Sequence, residues 1–375
     1  MAQMQDVNTT SIPDAITLGC RTMQRVFNAD DDNTPFFLTY ARPEPYLAYD
    51  GMFAEPHVPG RHLNALLRAE DALGVEVEEA AVEAHARVAF RTLRESVALP
   101  LSRWEIGAPR NHFLPHNCRE TFHALFALAA YRDSREAVEH AGRFAAAINE
   151  YWTPDGGWDS ARLERERGVD FQEDSRSVVW GIGRAIGALV SLYRATGMES
   201  ALALARRAVD RAVLESFPQD GAFAVERSTT HIHSITCSLS GLAEYAELTA
   251  DDALMERVWA FYRNGLWAMR DEIGWSIEGL RQSGGGNPDA GEGNNTGDIL
   301  ETALALGRWG RVEAFDDAER ILRAHLLPSQ LRDTSWIADQ PNPNGIDGLR
   351  DVSDRILGAW GFPAPYGHAP LGLEP

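Results

Sequence analysis

The sequence predicts an all-α protein, an (α/α)6 toroid of six inner/outer helical hairpins, on three observations. Apolar residues recur with the helical period along nearly all of the 375 residues, while strand-like alternation is confined to short stretches such as Phe36–Tyr40 and Ala222–Val225. The helical segments also echo one another as unlike pairs with a loose interval of about 50–65 residues, the signature of stacked two-helix units. Finally, the two members of a pair differ in composition, one crowded with small residues and the other carrying a charged face.

Element by element, the periodicity places helices over about 12–27, 60–74, 77–97, 117–132, 134–152, 175–196, 199–216, 233–249, 251–270, 295–309, 315–327 and 348–358. Segments Ala124–Ala141, Ala188–Ala205 and Gly241–Val258 are alike. Each closes one helix with a Leu-rich stretch and a tyrosine (Tyr131, Tyr193, Tyr245), makes a short polar turn, and starts an Ala/Leu/Arg helix. A second echo, Pro154–Trp158, Gln219–Phe223 and Glu272–Trp275, follows the second helix of three pairs, with glycine as the stop and an aromatic as the anchor. Gly181–Gly187, Ser234–Gly241 and Thr296–Ala303 are rich in Gly, Ser, Thr and Ala, which suits inner helices approached on several sides. Segments 199–216 and 251–270 carry Arg and acidic residues on one face and suit the outside. One catalytic domain over residues 1–375 is expected; an open helical-repeat superhelix has shorter, more regular periods.

Composition excludes several function classes. With 35 basic and 55 acidic side chains the formal net charge is −20, and no basic run offers a path for nucleic acid. Every basic residue is Arg, which removes any lysine Schiff base, Walker lysine or kinase lysine. Cys20, Cys118 and Cys237 are far apart and form no C-x-x-C pair, so a reducing compartment fits and a zinc spacing is missing. The polar start Met1–Asn8 has no signal-peptide pattern, and no apolar run is long enough for a membrane span. A cytoplasmic protein without membrane or nucleic-acid partners is expected, its oligomeric state open.

The run Ser175–Gly187, followed by Leu189–Gly197, is similar to the Trp-x-Arg-Gly-x-x-Trp inner helix of unsaturated glucuronyl and rhamnogalacturonyl hydrolases. Arg184 here follows Gly183 rather than preceding it, and the second Trp is absent. Together with the hairpin pattern, the chain resembles the six-hairpin glycosidase-like superfamily of carbohydrate-active enzymes. The resemblance implies the toroid and a carbohydrate substrate; the departures in the motif carry no catalytic assignment.

In a toroid, the connections from outer to inner helices gather at one rim. Here they are Leu47–Arg61, Pro100–Arg119, Thr153–Arg176, Phe217–Ser234, Gly274–Asp298 and Arg332–Arg350, and they hold most of the clustered His, Trp, Asn and acidic residues. The reverse turns are short and featureless, an asymmetry expected of a rim that binds or reacts. Glycoside hydrolysis needs two carboxyls, and Asp174 and Glu292 are the rim candidates, although Asp174 also suits a helix cap. His233 and His116 are candidates for proton transfer, since imidazole titrates near neutrality. Arg61 and Arg119 can pair with a uronate carboxylate, Trp180 and Trp275 can stack on a sugar ring, and His231, Asn294, Asn295 and Asp298 can meet hydroxyls. The His231/His233 pair lacks clear further ligands, so no metal and no cofactor is expected. Three readings follow: an exo-acting glycoside hydrolase on short, possibly uronate-containing oligosaccharides; a uronate oligosaccharide lyase or sugar epimerase with a His or Tyr base; or a non-enzymatic helical-repeat binding scaffold.

Overall fold

A computed structural model describes residues 10–41, 43–94, 97–172, 177–279 and 291–360. Thirteen α-helices run through them: α1 (Ile12–Met23), α2 (Val58–Leu73), α3 (Glu79–Thr92), α4 (Cys118–Arg132), α5 (Arg135–Tyr151), α6 (Ser160–Arg167), α7 (Ile186–Thr196), α8 (Glu199–Glu215), α9 (Ile232–Thr249), α10 (Asp252–Arg263), α11 (Gly293–Trp309), α12 (Glu313–Ile321) and α13 (Val352–Arg355). The all-α toroid expected from the sequence is the architecture observed. Neighbouring inner helices pack in succession, α2 on α4, α4 on α7, α7 on α9 and α9 on α11, while α3, α5, α8, α10 and α12 back them from outside.

The reverse turns are short for a local reason. Asp133, Gly197 and Ala250 adopt left-handed backbone conformations that end α4, α7 and α9, and Ser134 and Asp251 then cap α5 and α10 by accepting from Ala137 N–H and Leu254 N–H. The pairs close on apolar side chains: Phe122 of α4 and Phe144 of α5 are both fully buried and stack with centroids 4.4 Å apart. Truncating either to Ala would cost about 3–5 kcal/mol.

Three elements differ from the expectation. The expected inner helix 175–196 starts as a 3-10 turn, Ile182–Ala185, before α7, because Gly183 N–H bonds the Val178 carbonyl at 2.7 Å and leaves no room for a Cβ. The expected helix 348–358 is a single turn, α13. Asp351 sits in the left-handed region at φ 48°, and buried Asp347 is turned inward to Arg355 and the Ala29 N–H. α6 is an addition inside the third rim connection, capped by Asp159 and stopped at Gly168. Strands are two to four residues long among the described residues, and they sit largely in the rim connections. Arg110–Phe113 pairs antiparallel with Leu101–Arg103 and parallel with Asp170–Phe171, which ties two rim connections together just before α4.

Candidate active site

The N-terminal ends of α2, α4, α9 and α11 converge on a buried polar layer, and each delivers a titratable side chain. His57 precedes α2, with Pro59 in its first turn. A 3-10 turn, Pro115–Asn117, presents His116 just before α4. His231 is the residue before α9, held by a bridge to Gly279 and by Ile232 N–H on the Glu278 carbonyl. Glu292 precedes α11, its N–H bonded to the Ser276 carbonyl.

Glu120 lies at the centre, with no exposed surface. α2 and α4 cross backbone to backbone there: a Cβ on Gly60 would fall 1.8 Å from the Glu120 carbonyl oxygen. Arg61, the next residue, is thereby set beside the Glu120 side chain. Glu120 Oε1 accepts from Arg184 Nη2 at 3.0 Å and lies 3.5 Å from both Arg61 Nη2 and Arg119 Nη1. Its Oε2 lies 3.4 Å from His57 Nδ1. Burial works to raise the Glu120 pKa, but the Nδ1–H of His57 beside Oε2 and the three guanidiniums hold it well below the usual carboxylate range.

The arginines pass this order on to the imidazoles. Arg184 Nη1 donates to His116 Nδ1 at 3.2 Å, which places the proton of neutral His116 on Nε2. Asn117 Nδ2 donates to the Met52 carbonyl, so its Oδ1 accepts from His57 Nδ1 at 3.0 Å and leaves His57 Nε2 as the basic nitrogen. Arg119 Nη1 donates to His233 Nε2 at 3.3 Å, and His233 Nδ1 in turn meets Glu292 Oε1 at 3.2 Å. His231 Nδ1 is 2.8 Å from Ser234 Oγ, which also accepts from Arg184 Nη1, and its Nε2 faces Glu292 Oε2 at 4.0 Å.

All four histidines are held neutral. Burial is the largest cause, and the arginines add to it: His57, His116 and His233 fall well below the ordinary value, and His231 falls to about 3. The positive helix ends act in the same direction. The rings are close together, His116 to His231 at 5.2 Å, His57 to His116 at 5.9 Å and nearly parallel, with Trp180 against His116 at 4.9 Å. Asp298 behaves oppositely: burial pushes it up to about 6, although Oδ1 accepts from Arg119 Nη2 at 3.2 Å and Oδ2 from Thr236 at 2.9 Å.

Beside this layer is a cavity of about 300 Å³. Arg61, Arg119, His233, Asn294 and Asp298 line it, together with Asn64, His123, Leu326 and Trp360. The structure thus brings together Glu292, His233, His116, His231, Arg61, Arg119, Trp180, Asn294 and Asp298. Asn295 points elsewhere, bonding the Ile277 carbonyl and Ser276 Oγ as a buried tie to the preceding loop. Trp275 is half-buried with its indole against Gly291. Asp174 lies outside the described residues. Glu120, His57, Arg184 and Asn117 are missing from the site expected from sequence. Glu120 and Arg184 are charges on segments read as inner helices, but Arg119 and His123 near the one and Arg176 and Arg194 near the other keep them from standing out in the sequence.

Two sets have ligand atoms close enough for a cation: His231, His233 and Glu292, and His233, Cys237 and Asp298, each within 4.8 Å of one another. His233 belongs to both, and the adjoining Arg119 guanidinium opposes a metal ion there. Among the described residues no helix is long and apolar enough to cross a membrane.

No protein-family model and no curated protein sequence matches the chain. Solved structures do. A D-mannose isomerase superimposes with a TM-score of 0.63 at 11% identity, covering 96% of this chain and 97% of that one. Cellobiose 2-epimerase from Bacillus thermoamylovorans B4167 gives 0.61 at 12%, covering 85% and 88%. Unsaturated glucuronyl hydrolase from Bacillus sp. GL1 gives 0.58 at 12%, covering 92% and 94%. Identities this low establish the fold, and the chain has the six-hairpin toroid fold that these proteins share.

Proposed function

We propose that this protein is a carbohydrate-active enzyme that moves a proton on a sugar, as an epimerase or isomerase, rather than one that hydrolyses through two carboxyls. The observation that carries this reading is the cluster of neutral imidazoles with tautomers set by the arginine network. His116, protonated on Nε2 because Arg184 occupies Nδ1, is the proton donor. His231 is the base: its side chain is 31% exposed, the most accessible of the four rings, and its Nδ1–H donates a hydrogen bond to Ser234 Oγ, leaving Nε2 as the basic nitrogen. Abstraction of a carbon-bound proton beside the carbonyl of the open-chain sugar, with proton delivery to the carbonyl oxygen, gives an enediol. Return of the proton from His231 to the neighbouring carbon gives the isomer; the epimer requires instead that a second imidazole on the opposite face of the enediol deliver a proton to the same carbon. The imidazolium formed on His231 is balanced by Glu292, 4.0 Å away, which His233 holds in place. Trp180 offers an aromatic face next to His116.

Hydrolysis is the second reading, favoured by one observation: Glu292 and Asp298 are both buried, and Asp298 is pushed up to about 6, into the range of a general acid. Against it, the His233 ring occupies the space between them, where a glycosidic bond would lie. Asp174 is the other candidate partner for Glu292.

Incubation with reducing mono- and oligosaccharides in D2O, followed by NMR and mass spectrometry, tests the proposal. Deuterium appearing on a sugar carbon with an isomeric product is expected. Cleavage with uptake of one water would replace the reading by hydrolysis, and cleavage with an ultraviolet-absorbing product by elimination.

A further inference from the structure

We infer that the site takes an uncharged sugar and disfavours uronates, and that Glu120 sets this preference by engaging the arginines that would otherwise bind a carboxylate. The inference rests on the sugar-binding reading above and adds the charge class of the substrate. Three guanidiniums look at first like an anion site. Each, however, is already committed: Arg184 to Glu120, His116 and Ser234; Arg119 to Asp298, Glu120 and His233; Arg61 to Glu120. Three arginines are matched by three carboxylates, Glu120, Asp298 and Glu292, and the imidazoles between them are neutral. A ligand carboxylate would have to displace one of these internal partners while facing Glu292 at the end of α11. Displacing a buried partner leaves its charge uncompensated, which is a large penalty. Arg61 and Arg119 do line the cavity, but so do the Asp298 carboxyl, the His123 and His233 imidazoles, the Asn64 and Asn294 amides and the apolar faces of Leu326 and Trp360. That set suits hydroxyls and a ring face.

The matching depends on Glu120 because one oxygen, Oε1, faces all three guanidiniums. Glu120→Gln keeps the shape and leaves an unmatched positive charge in the wall of the site. Asp298→Asn does the same for Arg119 from the other side, and it does so without disturbing the centre of the cluster.

The test is calorimetric binding of matched pairs, neutral mono- and disaccharides against the same sugars oxidised to uronates, at pH 7. For the unaltered protein the neutral member is expected to bind at least tenfold more tightly. In Glu120→Gln and in Asp298→Asn the ratio should fall at least tenfold toward the uronate; if Glu120→Gln does not fold, Asp298→Asn alone decides. Equal or tighter uronate binding by the unaltered protein, or a ratio that neither variant moves, would overturn the inference while leaving the sugar site standing. Failure of every neutral and uronate ligand to bind would overturn the sugar reading itself, and this inference with it.

Discussion

Two buried carboxylates, Glu55 and Glu120, have nearly the same immediate partners and serve different ends. Each has no exposed surface and three arginines around one oxygen. For Glu55 these are Arg110 at 2.8 Å and Arg91 and Arg103 at 3.2 Å; for Glu120 they are Arg184 at 3.0 Å and Arg61 and Arg119 at 3.5 Å. In both, burial favours the neutral acid and the guanidiniums outweigh it. They part at the second oxygen. Glu55 Oε2 accepts from Arg103 N–H at 3.0 Å, the Tyr49 hydroxyl beside it donates to the Arg103 carbonyl at 2.7 Å, and the arginines go on to Asp31, Asp32 and Thr34. That cluster pins the first rim connection to α3 and to the strand Leu101–Arg103. Glu120 Oε2 meets an imidazole, and its arginines go on to His116, His233 and Asp298. A triply paired carboxylate is therefore uninformative alone; what its arginines hold next separates a staple in the wall from the centre of the proposed site.

The sharpest way to break this comparison is to remove the charge from each. Glu120→Gln and Glu55→Gln should each cost about 3–5 kcal/mol of stability in denaturant titrations, since each strands buried arginines. Only Glu120→Gln should also lose turnover in the protein that remains folded. Equal turnover in the two would remove the distinction. Next in size is His231→Asn, expected to lower turnover by about 10²–10⁴ while the melting temperature stays close to that of the unaltered protein.

Asp298 gives a pH signature that the staple lacks. Its folded pKa, about 6, lies above the ordinary 3.8, so its contribution to stability is complete below 3.8 and is lost as pH rises through 6. The loss is about 3 kcal/mol at ~1.4 kcal/mol per tenfold. Unfolding curves of Asp298→Asn should be flatter by that amount between pH 4 and 7; parallel curves would contradict the raised value. The smallest effect belongs to the surface pair Arg308–Glu247 at 3.0 Å, which shares no hydrogen bond with either cluster. Arg308→Gln should change stability by about 0.2–1 kcal/mol, and less in high salt.

The helical hairpins were legible because their signals are local. Segment 134–152 is observed as Arg135–Tyr151 and 199–216 as Glu199–Glu215, each with a capping serine or a glycine turn in front of it. The expected helix 348–358 shrank to one turn because Asp347 found tertiary partners, Arg355 and the Ala29 N–H, that periodicity does not show. The site was legible by composition and only partly by residue. His116, His231, His233, Glu292 and Asp298 stand out as rim polar groups, and the structure gathers them. Glu120, next to the noticed Arg119, has its meaning only once Gly60 lets α2 approach α4 and the 3-10 turn before α7 brings Arg184 to it. His57, far upstream in a long connection, has no local pattern that separates it from any loop histidine.

The arginine–carboxylate lattice holds the rim imidazoles neutral with fixed tautomers, and the proposed proton exchange with a sugar depends on this. Long-range 15N–1H NMR of the imidazole rings measures this directly, with assignments from single His variants. His116 is expected as the Nε2–H tautomer and His57 as the Nδ1–H tautomer, both unchanged from about pH 5.5 to 8. Rings that titrate near the ordinary value of about 6.5, or a His116 protonated on Nδ1, would contradict it.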